Sequence, residues 1–287
     1  MKSMTQKAPA KVNLALDILG RREDGYHDMY MVMQSISLCD TVGVREADAG
    51  FQLHTGGDFI PTGKKTLEQR AAEAFFQRIG RPMPGLEVTL EKVTPAYAGL
   101  GGGSADVAAL LRILRDAYAP DLPTEELEKI GFTVGSDMPF CVRGGTALAE
   151  GRGEILTDLK PLPACWFVLC KPDFGIPTPT LFAQVDGSEL KRRPDIAGMK
   201  AALDAGDLEG AVSRLGNVFE EVLPEEYHEV FRIKGKLLEL GAMNAAMSGS
   251  GPTVFGIFRD RQAAENAWKT LKRRYGQSYL AQPLKKF

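Results

Sequence analysis

Between Gly99 and Ser104 four of six residues are glycine, and an Ala/Leu-rich run follows at once, in the stretch AGLGGGSADVAALL. Glycine inside a helix or strand costs about 0.5–1 kcal/mol relative to alanine, so four together are not there for fold stability alone. They call for a backbone that something approaches too closely for side chains. The apolar spacing that follows predicts a helix to about Tyr118. A glycine-rich turn feeding a helix N-terminus is a ready anion site. Its N–H groups point at the ligand, and the helix end carries about half a positive charge.

Three named loops compete for this segment. The dinucleotide fingerprint G-x-G-x-x-G accommodates Gly99 and Gly101, but Ser104 stands at its third glycine and no clear strand–loop–helix–strand unit surrounds it. The P-loop pattern is approached only by GDFIPTGKK from Gly57. That stretch has five intervening residues, and Lys65 stands where Ser or Thr belongs, so it reads as an ordinary loop. The protein-kinase glycine loop lacks its companion motifs. What remains is P-x-x-x-G-L-G-[GS]-[GS]-S, formed by Pro95, Ala96, Tyr97, Ala98, Gly99, Leu100, Gly101, Gly102, Gly103 and Ser104.

The rest of the chain sets the frame. Its 287 residues allow two ordinary domains or one large one. Net charge is −2, so electrostatics favour neither nucleic acid nor an anionic membrane as partner. The longest apolar run, ACWFVLC from Ala164, is too short to span a bilayer and suits a buried strand. Lys7, Lys11 and Asp17 interrupt any apolar leader, so a cytoplasmic location is expected. Cys39, Cys141, Cys165 and Cys170 lack metal spacing and read as reduced and structural. Strands are predicted at 12–19 and 29–38, joined by GRREDGYHD, then at VGVRE, FQLH and LEVTLE. Between the last two, Leu67, Ala71, Ala74, Phe75 and Ile79 recur at helical spacing before Gly80. Helices are expected from Thr124 to Gly131, at about 196–204, 207–222 and 225–240. The tail reads strand (TVFGIF), helix (RQAAENAWKTLKRR), strand (SYLAQPL). Strands followed by helices in each half give an α+β class, with a boundary near residue 157.

The glycine loop resembles the phosphate loop of the GHMP kinases, small-molecule kinases unrelated to P-loop enzymes. The resemblance extends to APAKVNLALDILGRREDGYHDMYMVMQSISLCD, to LEKIGFTVGSDMPFCVRGGTALAEGRGE and to AMSGSGPTVFGIF, and so spans nearly the whole chain. It implies a ribosomal-S5-domain-2-like N-terminal domain over 1–157 and a ferredoxin-like C-terminal domain over 158–287, with the active site between them. AKVNL with DGYH marks one branch. That branch implies ATP as co-substrate, Mg²⁺ with the nucleotide, and an acceptor carrying a cytidine diphosphate. The implied reaction is phosphorylation of the 2-hydroxyl of 4-diphosphocytidyl-2-C-methyl-D-erythritol in the non-mevalonate isoprenoid pathway.

The same resemblance assigns residues. Asp137, in VGSDMPF, is the proton acceptor, and Lys11, in PAKVNL, stabilises the alkoxide and the transferring phosphoryl. A cation beside a carboxylate keeps it ionised and lowers the pKa of the hydroxyl. Residues 95–104 hold the ATP phosphates. Asn13 follows Lys11 by two, so a strand places both on one face, with the amide toward substrate. His27 takes the cytosine edge, Tyr26 a stacking face and Phe182 the opposite aromatic wall. Gly249 and Ser250 shape the substrate pocket. Asp106 near the helix start suits the helix dipole. No carboxylate cluster marks a protein-built metal site. The chain departs from many family members at Ala105, where a second serine is common, and at Thr66, where Asn often precedes the leucine. Other GHMP kinases, acting on homoserine, mevalonate or a sugar, and a catalytically silent nucleotide binder are the alternatives. DGYH weighs against the first, and Lys11 with Asp137 against the second.

Overall fold

A computed structural model describes residues 3–56 and 65–286. In chain order the first half contains β1 (Met4–Arg21), β2 (His27–Ala47), β3 (Phe51–Thr55), α1 (Leu67–Arg78), β4 (Gly85–Glu91), α2 (Gly102–Tyr118), α3 (Thr124–Phe132) and α4 (Met138–Arg143). Then come β5 (Thr146–Gly151), β6 (Ile155–Asp158), β7 (Trp166–Lys171), α5 (Thr178–Asp186), α6 (Ile196–Ala205), α7 (Leu208–Ser213) and β8 (Gly216–Asn217). Two 3₁₀ turns, Val218–Val222 and Glu225–Tyr227, lead to α8 (Glu229–Glu239), β9 (Asn244–Met247), β10 (Val254–Phe258), α9 (Arg261–Lys272) and β11 (Gln277–Ala281). The loop expected at GDFIPTGKK lies outside the described residues except for Lys65.

The chain folds as two compact units drawn from interleaved stretches. The first gathers the described residues of Met1–Ala10, Cys39–Thr94 and Gly101–Arg143. In it β4 pairs antiparallel with Thr41–Ala47 of β2 and parallel with β3. Helix α2 is buried along most of its first three turns, from Ala105 to Leu114. Helix α1 starts at Thr66, whose side chain accepts from the Gln69 N–H, an N-cap that satisfies one orphan donor. Its buried face is Ala71, Ala72, Phe75 and Phe76, while Leu67 is exposed. The apolar stripe therefore lies one position round from the one read in the sequence. VGVRE is the continuation of β2 and not a separate strand. The strand runs on through Asp40, whose buried carboxylate accepts from the N–H groups of Val93 (2.6 Å) and Thr94 (2.7 Å).

The second unit gathers the described residues of Lys11–Leu38, Pro95–Leu100 and Gly144–Phe287. Here β5 pairs antiparallel with the first part of β2, β6 pairs with β5, and β8 pairs parallel with β1 at Ala15 and Leu16. A separate antiparallel sheet runs β11-β7-β10-β9. Its β7 is the ACWFVLC strand, with Phe167 to Cys170 fully buried. Burial pushes the thiols of Cys165 and Cys170 up to about 12, and none of the four cysteines is in a disulfide. The helix expected over 207–222 is instead α7, β8 and a 3₁₀ turn. Asn217, extended at φ −146°, places its side chain on the Phe219 N–H and starts a new element there. The next helix begins at Glu229, after the 3₁₀ turn at Glu225. Strands β5, β6 and β9 and helices α4 and α5 carried no separate sequence signal.

Within the first unit a three-membered charge cluster fixes the approach to α2. The Lys92 ammonium donates to Asp40 and to Asp106 on α2. Asp106 lies beyond the first turn of α2, so the dipole reading gives way to a direct ion pair. Burial lowers Lys92, but its two carboxylates outweigh this and raise it overall. Burial pushes the Asp106 carboxyl up to about 7, with Lys92 opposing and Asp40 adding to the shift. A folded-state value above the ordinary one means that folded protein holds a proton which unfolded chain releases. That contribution is complete below about pH 4 and is lost as pH rises to about 7. Asp106→Asn is therefore expected to lose less stability than wild type between pH 5 and pH 8 in urea unfolding. Equal losses would contradict this account of the cluster.

Candidate functional site

The glycine loop owes its composition to several separate demands. Gly99 has φ +70°, and a β-carbon there would lie 2.0 Å from the Ser248 carbonyl oxygen. Gly101 is the N-cap of α2 with φ +66°. A β-carbon on Gly102 would meet the Thr94 methyl at 2.9 Å. Gly103 is different: nothing lies within 4 Å of its added β-carbon, and the residue is exposed. The fold asks for three of these glycines, and the fourth is open to whatever comes to the helix end. Gly101 provides no side-chain cap for the first turn of α2, which leaves its N–H groups available to an anion. Tyr97 sits in the same loop at φ +50° and is 80% exposed, a strained conformation for a bulky residue.

In the second unit β1 brings Lys11 and Asn13 to one face, as a strand must. Lys11 is only 3% exposed, so it is not a strand-end surface lysine. Its ammonium donates to Asn13 Oδ1 at 2.7 Å, and its main-chain N–H to the Leu100 carbonyl at 2.9 Å. The Asn13 main-chain N–H reaches Ser248 Oγ at 3.4 Å, and Ser248 Oγ donates to the Gly99 carbonyl at 2.9 Å. A β-carbon on Gly249 would lie 3.3 Å from Lys11 Nζ. Lys11, Asn13, Gly99 and the turn at Ser248–Gly251 are thus brought together. Ser250 Oγ pairs with Thr178 Oγ1 at 2.7 Å, which ties that turn to the start of α5.

The residues that the resemblance assigns to the cytosine fall in the same unit. The His27 ring stacks on Phe182 with centroids 4.5 Å apart and 21° between planes. His27 Nε2 is 2.7 Å from Asp186 Oδ1, which fixes one ring nitrogen and leaves Nδ1 as the other polar edge. Phe182 stands edge-on to Phe219 at 5.1 Å. Tyr26 is 51% exposed, and the Arg152 guanidinium lies 3.5 Å from its ring centroid, a cation–π contact. Asp137 belongs to the first unit. It is half-buried and immediately precedes α4, and its carbonyl accepts from the Cys141 N–H. Arg112 on α2 closes the other end of α4 by donating to the Cys141 carbonyl at 2.8 Å.

Sequence reasoning missed Asp186, Arg152, Phe219 and Asn217. Ser248 was within reach, since it immediately precedes Gly249 and Ser250. Asp186 ends a helix that Pro177 and Pro179 obscured, and Arg152 sits at a hairpin tip between Gly151 and Gly153. Among the described residues no three His, Cys, Asp or Glu side chains are grouped to hold a metal ion, and no helix is long and apolar enough to cross a membrane.

The two kinds of glycine separate experimentally. Gly99→Ala is expected to lose about 2–4 kcal/mol of stability from strain and overlap. Gly103→Ala should stay within about 0.5 kcal/mol of wild type or exceed it. It should nonetheless weaken ATP binding at least about tenfold, or about 1.4 kcal/mol. Urea unfolding and nucleotide titration calorimetry read both, and unaltered ATP affinity in Gly103→Ala would contradict the open-glycine argument.

The chain is similar to known proteins along nearly its full length. Residues 66–145 match the GHMP kinases N terminal domain, and residues 199–277 match the GHMP kinases C terminal model. The chain is 41% identical over 281 residues to the 4-diphosphocytidyl-2-C-methyl-D-erythritol kinase of Clostridium tetani, covering 98% of this chain and 100% of that one. A crystal structure of 4-(cytidine 5'-diphospho)-2C-methyl-D-erythritol kinase superposes with TM-score 0.81 at 33% identity, covering 98% of this chain and 99% of that one. Homoserine kinase from Cytophaga hutchinsonii shares the fold alone, with TM-score 0.75 at 18% identity over 100% of this chain and 96% of its own. The chain belongs to the GHMP kinases, in the branch made up of the 4-diphosphocytidyl-2-C-methyl-D-erythritol kinases.

Proposed function

We propose that this chain transfers the γ-phosphoryl group of ATP to the 2-hydroxyl of 4-diphosphocytidyl-2-C-methyl-D-erythritol, giving the 2-phosphate and ADP. This is a step of the non-mevalonate route to isoprenoids, and it belongs in the cytoplasm beside its small-molecule substrates. The observation that supports it most is the buried Lys11–Asn13 pair held against Gly99 and the Ser248–Gly251 turn. Burying the Lys11 ammonium costs desolvation free energy, which the Asn13 amide oxygen offsets in part. The acceptor's cytidine diphosphate comes from the full-length relatives at about two-fifths identity.

The chemistry assigns one role to each group. The acceptor oxygen attacks the γ-phosphorus, the bond to the β-phosphate oxygen breaks, and ADP leaves. Asp137 receives the hydroxyl proton, and the Lys11 ammonium stabilises the developing alkoxide and the equatorial phosphoryl oxygens. Asn13 holds the substrate through the amide that also orients Lys11. The first-turn amides of α2, with the Ser104 hydroxyl, receive the ATP phosphates. Ser104 Oγ is the side-chain oxygen of this loop that would hold a Mg²⁺ delivered on the nucleotide, with phosphates and waters supplying the other ligands. When bound, Mg²⁺ neutralises charge on the phosphates. His27 Nδ1 faces the cytosine edge while Asp186 holds the ring from Nε2.

The full chain, ATP, Mg²⁺ and the cytidyl substrate should yield a new phosphomonoester by ³¹P NMR. Asp137→Asn and Lys11→Met are expected to lower kcat by about 10²–10⁴-fold. ATP affinity should stay within about tenfold, or 1.4 kcal/mol. Near-normal turnover from either variant sinks these assignments. In a separate test, His27→Ala should raise KM for the cytidyl substrate and narrow its preference over the uridyl analogue. Equal use of both by wild type contradicts the role given to His27.

A further inference from the structure

From its contacts in the second unit, we infer that Asn217 is a positioning residue that sets the phosphoryl-side turn and the nucleobase wall from a single side chain. The inference rests on the function proposed above, since that reading makes Lys11 and His27 substrate contacts. Asn217 lies in GNVFEEV, far in sequence from both. It is 7% exposed, and its main chain pairs with Leu16 of β1, the strand that carries Lys11 and Asn13.

The Asn217 side-chain amide is used on both sides. Nδ2 donates to the Met247 carbonyl and to the Gly249 carbonyl, each at 2.8 Å. Oδ1 accepts from the Phe219 N–H at 3.0 Å. Two carbonyls and one N–H admit one orientation of the amide, and a carboxylate there would face two carbonyls. The Nδ2 bonds hold the strand end and turn whose Ser248 hydroxyl donates to Gly99 and whose Gly249 lies against Lys11. The Oδ1 bond sets Phe219, which stands edge-on to Phe182, and Phe182 carries the His27 ring. Glu220 completes the grip, its Oε1 accepting from the Met247 N–H at 2.7 Å. Displacing this one side chain releases both walls.

The two halves separate by substitution. Asn217→Ser keeps an oxygen able to cap the Phe219 N–H but removes both donors to the turn. Asn217→Ala removes everything. For the serine variant, kcat should fall at least about tenfold, with KM for the cytidyl substrate within about twofold. For the alanine variant, KM should rise about fivefold or more in addition. Amide hydrogen exchange gives a readout independent of substrate identity. At Ser248 and Gly251 it should quicken at least about tenfold in both variants, and at Phe219 only in the alanine variant. Ser248→Ala, a milder change, should quicken Gly251 and spare Phe219. Unchanged exchange at Ser248 and Gly251 in a folded Asn217→Ser protein, or wild-type kcat, overturns the inference. If wild type fails to phosphorylate the cytidyl substrate, the proposed function falls, and the exchange measurements still decide the role of Asn217.

Discussion

The second unit turns on one close approach: the Ser248 carbonyl lies where a β-carbon of residue 99 would have to be. A missing side chain lets two distant stretches share the space, and a hydroxyl then joins them, since Ser248 Oγ donates to the carbonyl of the same glycine. Lys11, Asn13 and Gly249 are placed by that contact. Burying an ammonium costs free energy, and the Asn13 amide oxygen offsets part of it. The site is therefore held less by apolar packing than by polar groups with few alternatives.

The first unit solves a related problem with charge. Asp40, fully buried, collects the N–H groups of Val93 and Thr94 just before the glycine loop begins. Lys92 sits between Asp40 and Asp106, so the entry to the loop and the helix beyond it share one ion cluster. Burial pushes the Asp106 carboxyl up to about 7, against the pull of Lys92 and with the Asp40 carboxylate adding to the shift. Further along α2, Arg112 donates to the main-chain carbonyls of Cys141 and Lys7 and to Gln6 Oε1, and burial draws its value down to about 10.

Much of this was legible in the residues, for specific reasons. The glycine loop announced itself because its composition defies both helix and strand. Helix α1 was found from spacing, although its buried face centres on Ala71, Ala72, Phe75 and Phe76. Lys11 and Asn13 were placed on one face by strand period alone. What stayed hidden depends on partners far along the chain. Nothing local shows that Asp186 will meet His27, that Arg152 will cover Tyr26, or that Asp40 will let a strand run on through a buried carboxylate. The stretch 207–222 read as one helix because its apolar residues suit that period. The amide of Asn217, satisfied by carbonyls thirty residues away, made a break more favourable.

The interleaving of the two units sets an order on biosynthesis. By the time Arg143 has left the ribosome, every stretch of the first unit exists, and it can close on itself. The second must wait. Val12, Leu14, Leu16 and Ile18 of β1 are core residues, yet the strand that pairs with Ala15 and Leu16 is not made until Gly216 and Asn217. At ordinary elongation rates that delay is about 10–40 s. For its length, an apolar strand stands with one edge unpaired, open to a neighbouring nascent chain. The burden on chaperones in making this protein thus falls on the edge of β1 at Ala15 and Leu16 and is lifted only when Gly216 and Asn217 arrive.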